Sequence, residues 1–359
     1  MHKLTRLTIG LALLVSLGAL AATAAARSDV AAGSSDAQIA VLLPDSKSSV
    51  RWETQDRRFL AAAFRAAGVS YSIVNAEGDR QKQRAQAEQA LTNGAKVILL
   101  VNLDSGSGAA IQALAKARRA KVIDYDRLTL KGSTAYYVSF NNVAVGRLQG
   151  QGLVSCLKAN GSYSKKPVIA QLHGSPTDNN ATLFRQGYQS VLNPLFKNGT
   201  LTKGPDQAVP DWDNQKALTI FEQMLARTGN KVQGVAAAND GLGNAVVSAL
   251  KARKLPKIPV TGQDATAQGV QNILAGDQCM TVYKAIKAEA NAAAKLAVSL
   301  AKGQKPVGVN GKTFDGRRQV PSVLLTPVTI TKRNYTLLFK DGFLKKGEVC
   351  RGAYAKYCK

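Results

Sequence analysis

Histidine is almost missing from this chain, with two in 359 residues. One of them, His2, lies in an N-terminal stretch that reads as a removable leader, so His173 alone remains. No G-x-S-x-G elbow accompanies it, and a Ser-His-Asp hydrolase therefore has no frame in the sequence. The same shortage rules out His/Cys metal clusters. No G-x-x-x-x-G-K-[ST] loop is present. DSGSGAA (104–110) follows an apolar run and resembles a dinucleotide loop, but Ile111 stands where the third glycine belongs. Catalysis has little support, and no cofactor is expected.

Long apolar runs are also scarce. The one run, Leu7 to Ala22, follows Lys3 and Arg6 and is followed by ATAAA before Arg27. A charged start, a short apolar stretch and a small-residue cleavage site predict a signal peptide over 1–26. No cysteine lies near that site, which argues against a lipid anchor. No later segment has about 20 uninterrupted apolar residues. The mature protein is therefore expected to be exported, in the periplasm or on the outer face of the cell membrane.

Cysteines number only four, and an exported chain allows them to pair. Of the three connectivities, proximity favours Cys350–Cys358, which leaves Cys156–Cys279; unpaired buried thiols are the alternative. Acidic residues are few: 23 against 48 Lys and Arg, a net charge of +25, or +23 once Lys3 and Arg6 leave with the signal. The cations are scattered through KARRAK (116–121), SKKP (164–167) and KARKLPK (251–257), with no aromatic-interleaved stripe, so no nucleic-acid partner is expected. They read as solvated helix ends and loops.

After a small polar linker (27–36), apolar runs alternate with amphipathic segments. QIAVLLPD (38–45), SYSIVNAEG (70–78), KVILLVNLD (96–104), KVIDYDRL and AYYVSFNN (135–142) read as strands separated by helices. The pattern repeats with PVIAQLHGS (167–175), VQGVAAAND (232–240), IPVTGQD (258–264) and CMTVYK (279–284). LTKGPDQAVPDWD precedes a helix from Asn214, AIKAEANAAAKLAVSLAKG (285–303) reads as a long helix, and VPSVLLTPVTITK (320–332) as an extended connector. Short continuous apolar strands between helices predict an α/β fold of two doubly wound parallel-sheet lobes.

In such sheets a ligand sits beyond the carboxyl ends of the strands. The polar residues that end the apolar runs are Asp45, Asp104, Asp126–Arg127, Asn141, Asn239–Asp240, Gln263–Asp264 and Lys284. Most are expected to meet in one cleft. Carboxylates accept hydroxyl protons, a guanidinium donates to neighbouring oxygens and amides do both, a set suited to a neutral polyhydroxylated ligand. The apolar faces of a sugar need flat partners, and the two tryptophans, Trp52 and Trp212, lie among polar residues between strands and helices. They are read as ligand platforms rather than core.

RWETQDR, YDRL, YVSFNNVAVG, GSPTDNNATLFRQG, AANDG, GQDA, MTVYK, PSVLLTP and KDGF, in this order, resemble the D-xylose-binding protein family, periplasmic sugar receptors of ATP-driven transporters with the type I periplasmic binding-protein fold. The similarity runs from about Gln38 to Glu348. It implies a sugar-contacting arginine at Arg51, stacking rings at Trp52 and Trp212, and an Asp-Arg pair at Asp126 and Arg127. It also implies an amide at Asn179 or Asn180, then Asn239, Asp264 and Lys284. Asp240 is alternatively a helix cap, and Arg185 a local ion pair. The loop PDSKSSV, the high charge and the tail GEVCRGAYAKYC depart from the family.

The implied architecture places 37–141 plus 286–321 in lobe 1 and 142–285 plus 322–349 in lobe 2. A cysteine-bearing tail covers 350–359, and three hinge segments lie near Asn141–Val143, Lys284–Ala288 and Pro321–Pro327. The implied function is a monomeric receptor closing on one monosaccharide, D-xylose, for an ABC-type permease; another monosaccharide or an inositol is the alternative ligand. A sugar-responsive transcription regulator shares the lobes but needs an N-terminal helix-turn-helix, where this chain has a leader. A carbohydrate-active enzyme using Asp126 and Asp264 as its carboxylate pair is the remaining rival.

Overall fold

The computed structural model describes residues 37–358, so the leader and linker readings, and Lys359, lie outside the described residues. The first half of the chain alternates as expected: β1 (Ile39–Leu43), α1 (Arg57–Ala66), β2 (Tyr71–Asn75), α2 (Arg80–Thr92), β3 (Val97–Leu100), α3 (Ser105–Ala117), β4 (Lys121–Tyr125) and β5 (Tyr136–Phe140). The second half contains α4 (Asn142–Ala159), β6 (Val168–His173), α5 (Asn179–Lys197), β7 (Thr202–Ala208), α6 (Asn214–Arg227), β8 (Gly234–Ala237), α7 (Asp240–Ala252), α8 (Ala267–Ala275) and β9 (Thr281–Tyr283). It is followed by α9 (Ile286–Ala301), β10 (Gly311–Phe314), β11 (Gln319–Leu325) and β12 (Val328–Ile330).

β1, β2, β3, β4 and β5 join β11 in one parallel sheet, with β10 antiparallel on its edge, in the order β10-β11-β5-β4-β3-β1-β2. Every residue of β1 is buried, because helices cover both faces of the sheet and the strand needs no polar side. The alanines of α9 (Ala290, Ala293, Ala294 and Ala297) are buried in the same core, their small side chains letting the helix lie close to the strands. A second parallel sheet, β7-β6-β8, is continued by single bridges from Val235 to Val260 and from Gln263 to Val282, and by the β12–β9 pair. Its helices α4 and α5 nearly touch at their backbones. A Cβ on Gly146 would come within 1.9 Å of the Phe184 carbonyl oxygen, so only glycine fits there.

Several expectations are corrected. IPVTGQD is not a full strand; it meets its neighbours only through isolated bridges. TKGPDQA, to which the sequence pattern assigns no element, is edge strand β7, where Pro205 and half-exposed polar residues are tolerated. β11 keeps Pro321–Leu325 in the first sheet, so the chain crosses at Thr326–Pro327 and not at the expected boundary between 321 and 322. The earlier crossings follow β5 and β9. Disulfides join Cys156 to Cys279 and Cys350 to Cys358. Among the described residues no helix is long and apolar enough to cross a membrane.

Candidate functional site

A small pocket, with about 310 Å³ of empty space counting the solvent at its mouth, lies between the two sheets. Its lining comes from the loops that follow successive strands. The segment after β1 supplies Ser48, Ser49, Arg51 and Trp52; the end of β4 supplies Asp126 and Arg127. From the other half come Asp178, Asn180, Phe184, Trp212, Asn239, Gln263, Asp264 and Lys284. The structure thus brings Arg51, Trp52, Asp126, Arg127, Asn180, Trp212, Asn239, Asp264 and Lys284 together.

Trp52 to Asp56 form one π-helical turn ahead of α1, a local widening that recurs at functional sites. Arg51, just before it, sits at the centre of three carboxylates. Nε and Nη2 donate to the two oxygens of Asp56 (2.9 and 2.7 Å), Nη2 to Glu289 Oε2 (2.8 Å) and Nη1 to Asp126 Oδ2 (2.9 Å). Its guanidinium stacks 4.4 Å from the Trp52 ring. Burial opposes the Arg51 charge, but Asp56, Asp126 and Glu289 outweigh it and push its pKa up. A metal ion would need that central position; a guanidinium fills it.

Asp126 is the hub. Its Oδ2 also accepts from Lys284 Nζ (3.0 Å), and its Oδ1 from Asn180 Nδ2 (3.0 Å). Burial alone would raise this carboxyl; Lys284, Arg51 and Arg127 reverse that and hold it well below the ordinary carboxylate range. Asp264 goes the other way: burial, helped by Asp126, raises it against Lys284 and Arg51. Glu289, with 0% exposure and Oε1 unpartnered, is also raised, by burial first and then by Asp126 and Asp56. Asp126 therefore stays ionised, while Asp264 and Glu289 hold protons more readily.

Arg127 reaches across the gap between the sheets. Its Nε lies 3.1 Å from Asp178 Oδ2 without the alignment to donate, and its Nη2 donates to Ser48 Oγ (3.0 Å). Asp178 also accepts from Trp212 Nε1 (3.1 Å), as Ser48 does from Trp52 Nε1 (3.1 Å). Each indole is thus oriented by one acceptor. Trp212 packs against Gly174, where a Cβ would lie 2.0 Å from the ring, and edge-on to Phe184. Asp126, Trp212 and Asp264 all hold positive φ (62°, 56° and 99°); a bulky indole residue there is strained, a cost the surrounding contacts must offset.

Other sequence candidates fall elsewhere. Asp45 holds the Ser48 loop by accepting from the Lys47 and Ser48 N–H groups. Asp104 caps α3 and pairs with Arg80, and Asn141 caps α4. Asn179 is half-exposed and outside the lining; the cap of α5 is Asp178, not either asparagine. Asn239 caps α7 through Oδ1, so its Nδ2 is the end left for the pocket, and Asp240 lies buried behind it. Arg185 is exposed and pairs with Asp206. His173 is enclosed by Tyr188 and Asp206, away from the pocket, with its pKa lowered by burial.

Sequence reasoning missed Asp56, Asp178 and Glu289. Asp178 carried a signal, a helix-cap residue one place before the predicted amide; Glu289 looked like any first-turn acid of a long helix.

The arrangement of the site suits binding. Asp126 already accepts from Arg51, Lys284 and Asn180, so about one of its four lone-pair sites, on Oδ1, remains for a ligand hydroxyl. Among the described residues no group of three or more His, Cys, Asp and Glu is placed to hold a metal ion. What the lining offers is fixed donors and acceptors between two indoles.

Comparison with known proteins agrees with this picture. The family model described as a periplasmic binding protein domain matches residues 39–305. The D-xylose-binding periplasmic protein of Escherichia coli K12 is 35% identical over 323 residues, 89% of this chain and 95% of that protein. The multiple sugar-binding periplasmic receptor of Rhizobium radiobacter is 32% identical over 353 residues, 93% of this chain and 98% of that protein. A Clostridium phytofermentans ABC transporter solute-binding protein, solved with bound β-D-glucose, superposes with a TM-score of 0.81 at 29% identity, covering 87% of this chain and 99% of that one.

Proposed function

This chain belongs to the family of periplasmic binding protein domains, and from that membership we propose an exported sugar receptor that captures D-xylose and hands it to an ABC-type permease. The reading rests on one observation: an ionised Asp126, held by Arg51 and Lys284, faces a small pocket between two oriented indoles. A sugar ring needs charged acceptors and donors at its edge and flat apolar partners on its faces. The similarity to relatives named for D-xylose supports the pentose.

Both halves of the pocket are needed, so the ligand acts by shifting an open–closed equilibrium toward closure. The three crossings between sheets are the hinges of that motion. Ser49 Oγ to Asp264 (3.1 Å), Arg127 to Asp178, and Lys284 and Asn180 to Asp126 (3.0 Å each) are among the contacts that closure makes. Asp126 and Arg127 present hydrogen bonds from lobe 1, and Asn239, Asp264 and Lys284 from lobe 2; Asn180 orients Asp126. One chain holds the whole site, so the receptor works as a monomer, in the periplasm or on the outer face of the membrane.

A second reading keeps the receptor and changes the ring. It is favoured by the solved neighbour with bound β-D-glucose and by the multiple sugar-binding relative. A thermal-shift screen against pentoses, hexoses and cyclitols, followed by calorimetry, separates the two, because a ligand that binds only the folded state raises its melting temperature. D-xylose giving the largest shift supports the first reading; glucose exceeding it supports the second. No shift with any sugar ends both.

A further inference from the structure

The pocket lies at the carboxyl ends of the strands of the first sheet; the amino ends of the same strands form a different surface. Two adjoining hollows, with about 1460 and about 1050 Å³ of empty space, open there. Lys96, Arg119, Lys121 and Lys302 line the first; Lys116, Arg317 and Arg318 join Arg119 and Lys121 in the second. Neither lining contains a carboxylate. Of these seven cations only Arg318 has an ion-pair partner among the described residues, Asp315 at 3.7 Å.

Helix ends explain only part of this. Lys116 lies in the last turn of α3, Arg119 follows its end, and Lys302 caps α9, where the dipole favours positive charge. Lys96 and Lys121 instead open neighbouring strands, the Lys121 N–H donating to the Lys96 carbonyl (2.9 Å). Arg317 and Arg318 lie in the turn before β11. Arg317 and Arg318 donate to the Gly132 and Thr134 carbonyls, but no helix end calls for Lys96 and Lys121, and like charges side by side repel unless an anion lies between them.

The geometry points to an anionic lipid surface as the partner of this face. The described chain enters the fold here: Gln38, at the start of β1, lines the first hollow. A broad face of cations whose lining holds no carboxylate complements the negative surface of an anionic bilayer. β4 runs from Lys121 at this end to Tyr125, one residue before Asp126, so headgroups held here leave the sugar pocket free. The inference stands apart from the sugar reading, since it uses none of the pocket residues.

The test uses a chain beginning at Arg27, which contains the whole described fold, and sedimentation with phosphatidylglycerol or phosphatidylcholine vesicles at 0.1 M salt. One variant carries Lys96→Gln, Arg119→Gln, Lys121→Gln and Lys302→Gln. A control removes the same charge from the other half through Lys158→Gln, Lys165→Gln, Lys197→Gln and Lys231→Gln, all exposed positions. Each cation near an anionic surface contributes about fivefold to binding, so the first variant should lose several hundredfold on phosphatidylglycerol. The control should lose far less, and phosphatidylcholine should bind neither. Equal losses from both variants, or no phosphatidylglycerol binding by the parent, overturn the proposal. Tighter binding to heparin or duplex DNA than to vesicles at equal anionic charge, lost in the same variant, overturns it in favour of a soluble polyanion. Unchanged circular dichroism in both variants keeps these outcomes interpretable.

Discussion

Replacing Asp126 by asparagine keeps the size of the side chain and removes the charge on which the pocket converges. Arg51 retains Asp56 and Glu289, so the core beneath the pocket stays paired. Lys284 does not: Asp126 is its one ion-pair partner among the described residues, and its side chain is 3% exposed. Breaking a buried pair by removing one partner costs about 3–5 kcal/mol, and truncating a hydrogen-bonded charge across an interface costs about 2–5 kcal/mol. In an open form Lys284 regains water, so the cost falls on the closed, ligand-holding state and reads out as affinity. Asp126→Asn should therefore weaken sugar binding by about 2–5 kcal/mol, between roughly thirtyfold and several thousandfold. Calorimetry with the best sugar from the thermal screen measures it. Lys284→Met removes the stranded charge, so the double variant should lose clearly less than the two single losses combined. Sugar affinity within twofold of the parent in Asp126→Asn, or strictly additive losses, would refute the reasoning.

Gly174→Ala should lower sugar affinity at least about tenfold by displacing the Trp212 ring; a crystal structure of the variant with the ring unmoved and binding intact contradicts it. Asp178→Ala frees both Trp212 Nε1 and Arg127, and should cost about 1–3 kcal/mol of affinity by calorimetry. Removing the Cys156–Cys279 link by paired serine substitution should cost about 2–4 kcal/mol in denaturant unfolding, since it closes a loop of separation 123. Burial raises Asp124 and Asp240 to about 7. The folded state then keeps protons that the unfolded chain releases, so their contribution is fullest below about pH 4 and falls as pH rises to about 7. Asp240→Asn should flatten that fall between pH 5 and 7.5, with Gln278 turning its unpartnered Oε1 toward the new amide; an unchanged slope counts against it.

The strand ends were readable from the sequence because a covered parallel sheet has no use for charge there. VIDYDRL ends with Asp126 and Arg127 for the pocket, VTGQD with Asp264 and TVYK with Lys284, and all four side chains meet. The rule over-reached at Asp45, Asp104 and Asn141, where a polar residue after a strand serves the next turn or helix: a cap and a ligand group look alike until the loop path is known. β7 escaped notice for the opposite reason. An edge strand is half solvated and pairs on one side only, so TKGPDQA has neither an apolar run nor a clean alternation to announce it.

The harder omission was the support beneath the ligand groups. Glu289 and Asp56 lie 233 positions apart in the sequence, yet both end on one guanidinium, a meeting set by how α9 crosses the first sheet. Periodicity marks Glu289 as an acid in a helix's first turn and nothing more, because it records a residue's face and not what that face meets. Positive φ at Asp126, Trp212 and Asp264 is equally silent in composition, for no residue type there requires it. It arises because the chain must turn back sharply enough to aim three side chains into one small space. Strain and buried charge therefore coincide at this pocket: the same compact convergence that forces the backbone into unfavourable angles excludes the water that would otherwise weaken Asp126's grip on Arg51 and Lys284. A variant that relaxes the turn, such as Asp264→Gly, should on this argument loosen sugar binding while leaving the melting temperature of the free protein level or higher; a fall in that temperature would mean that the turn carries no strain to release.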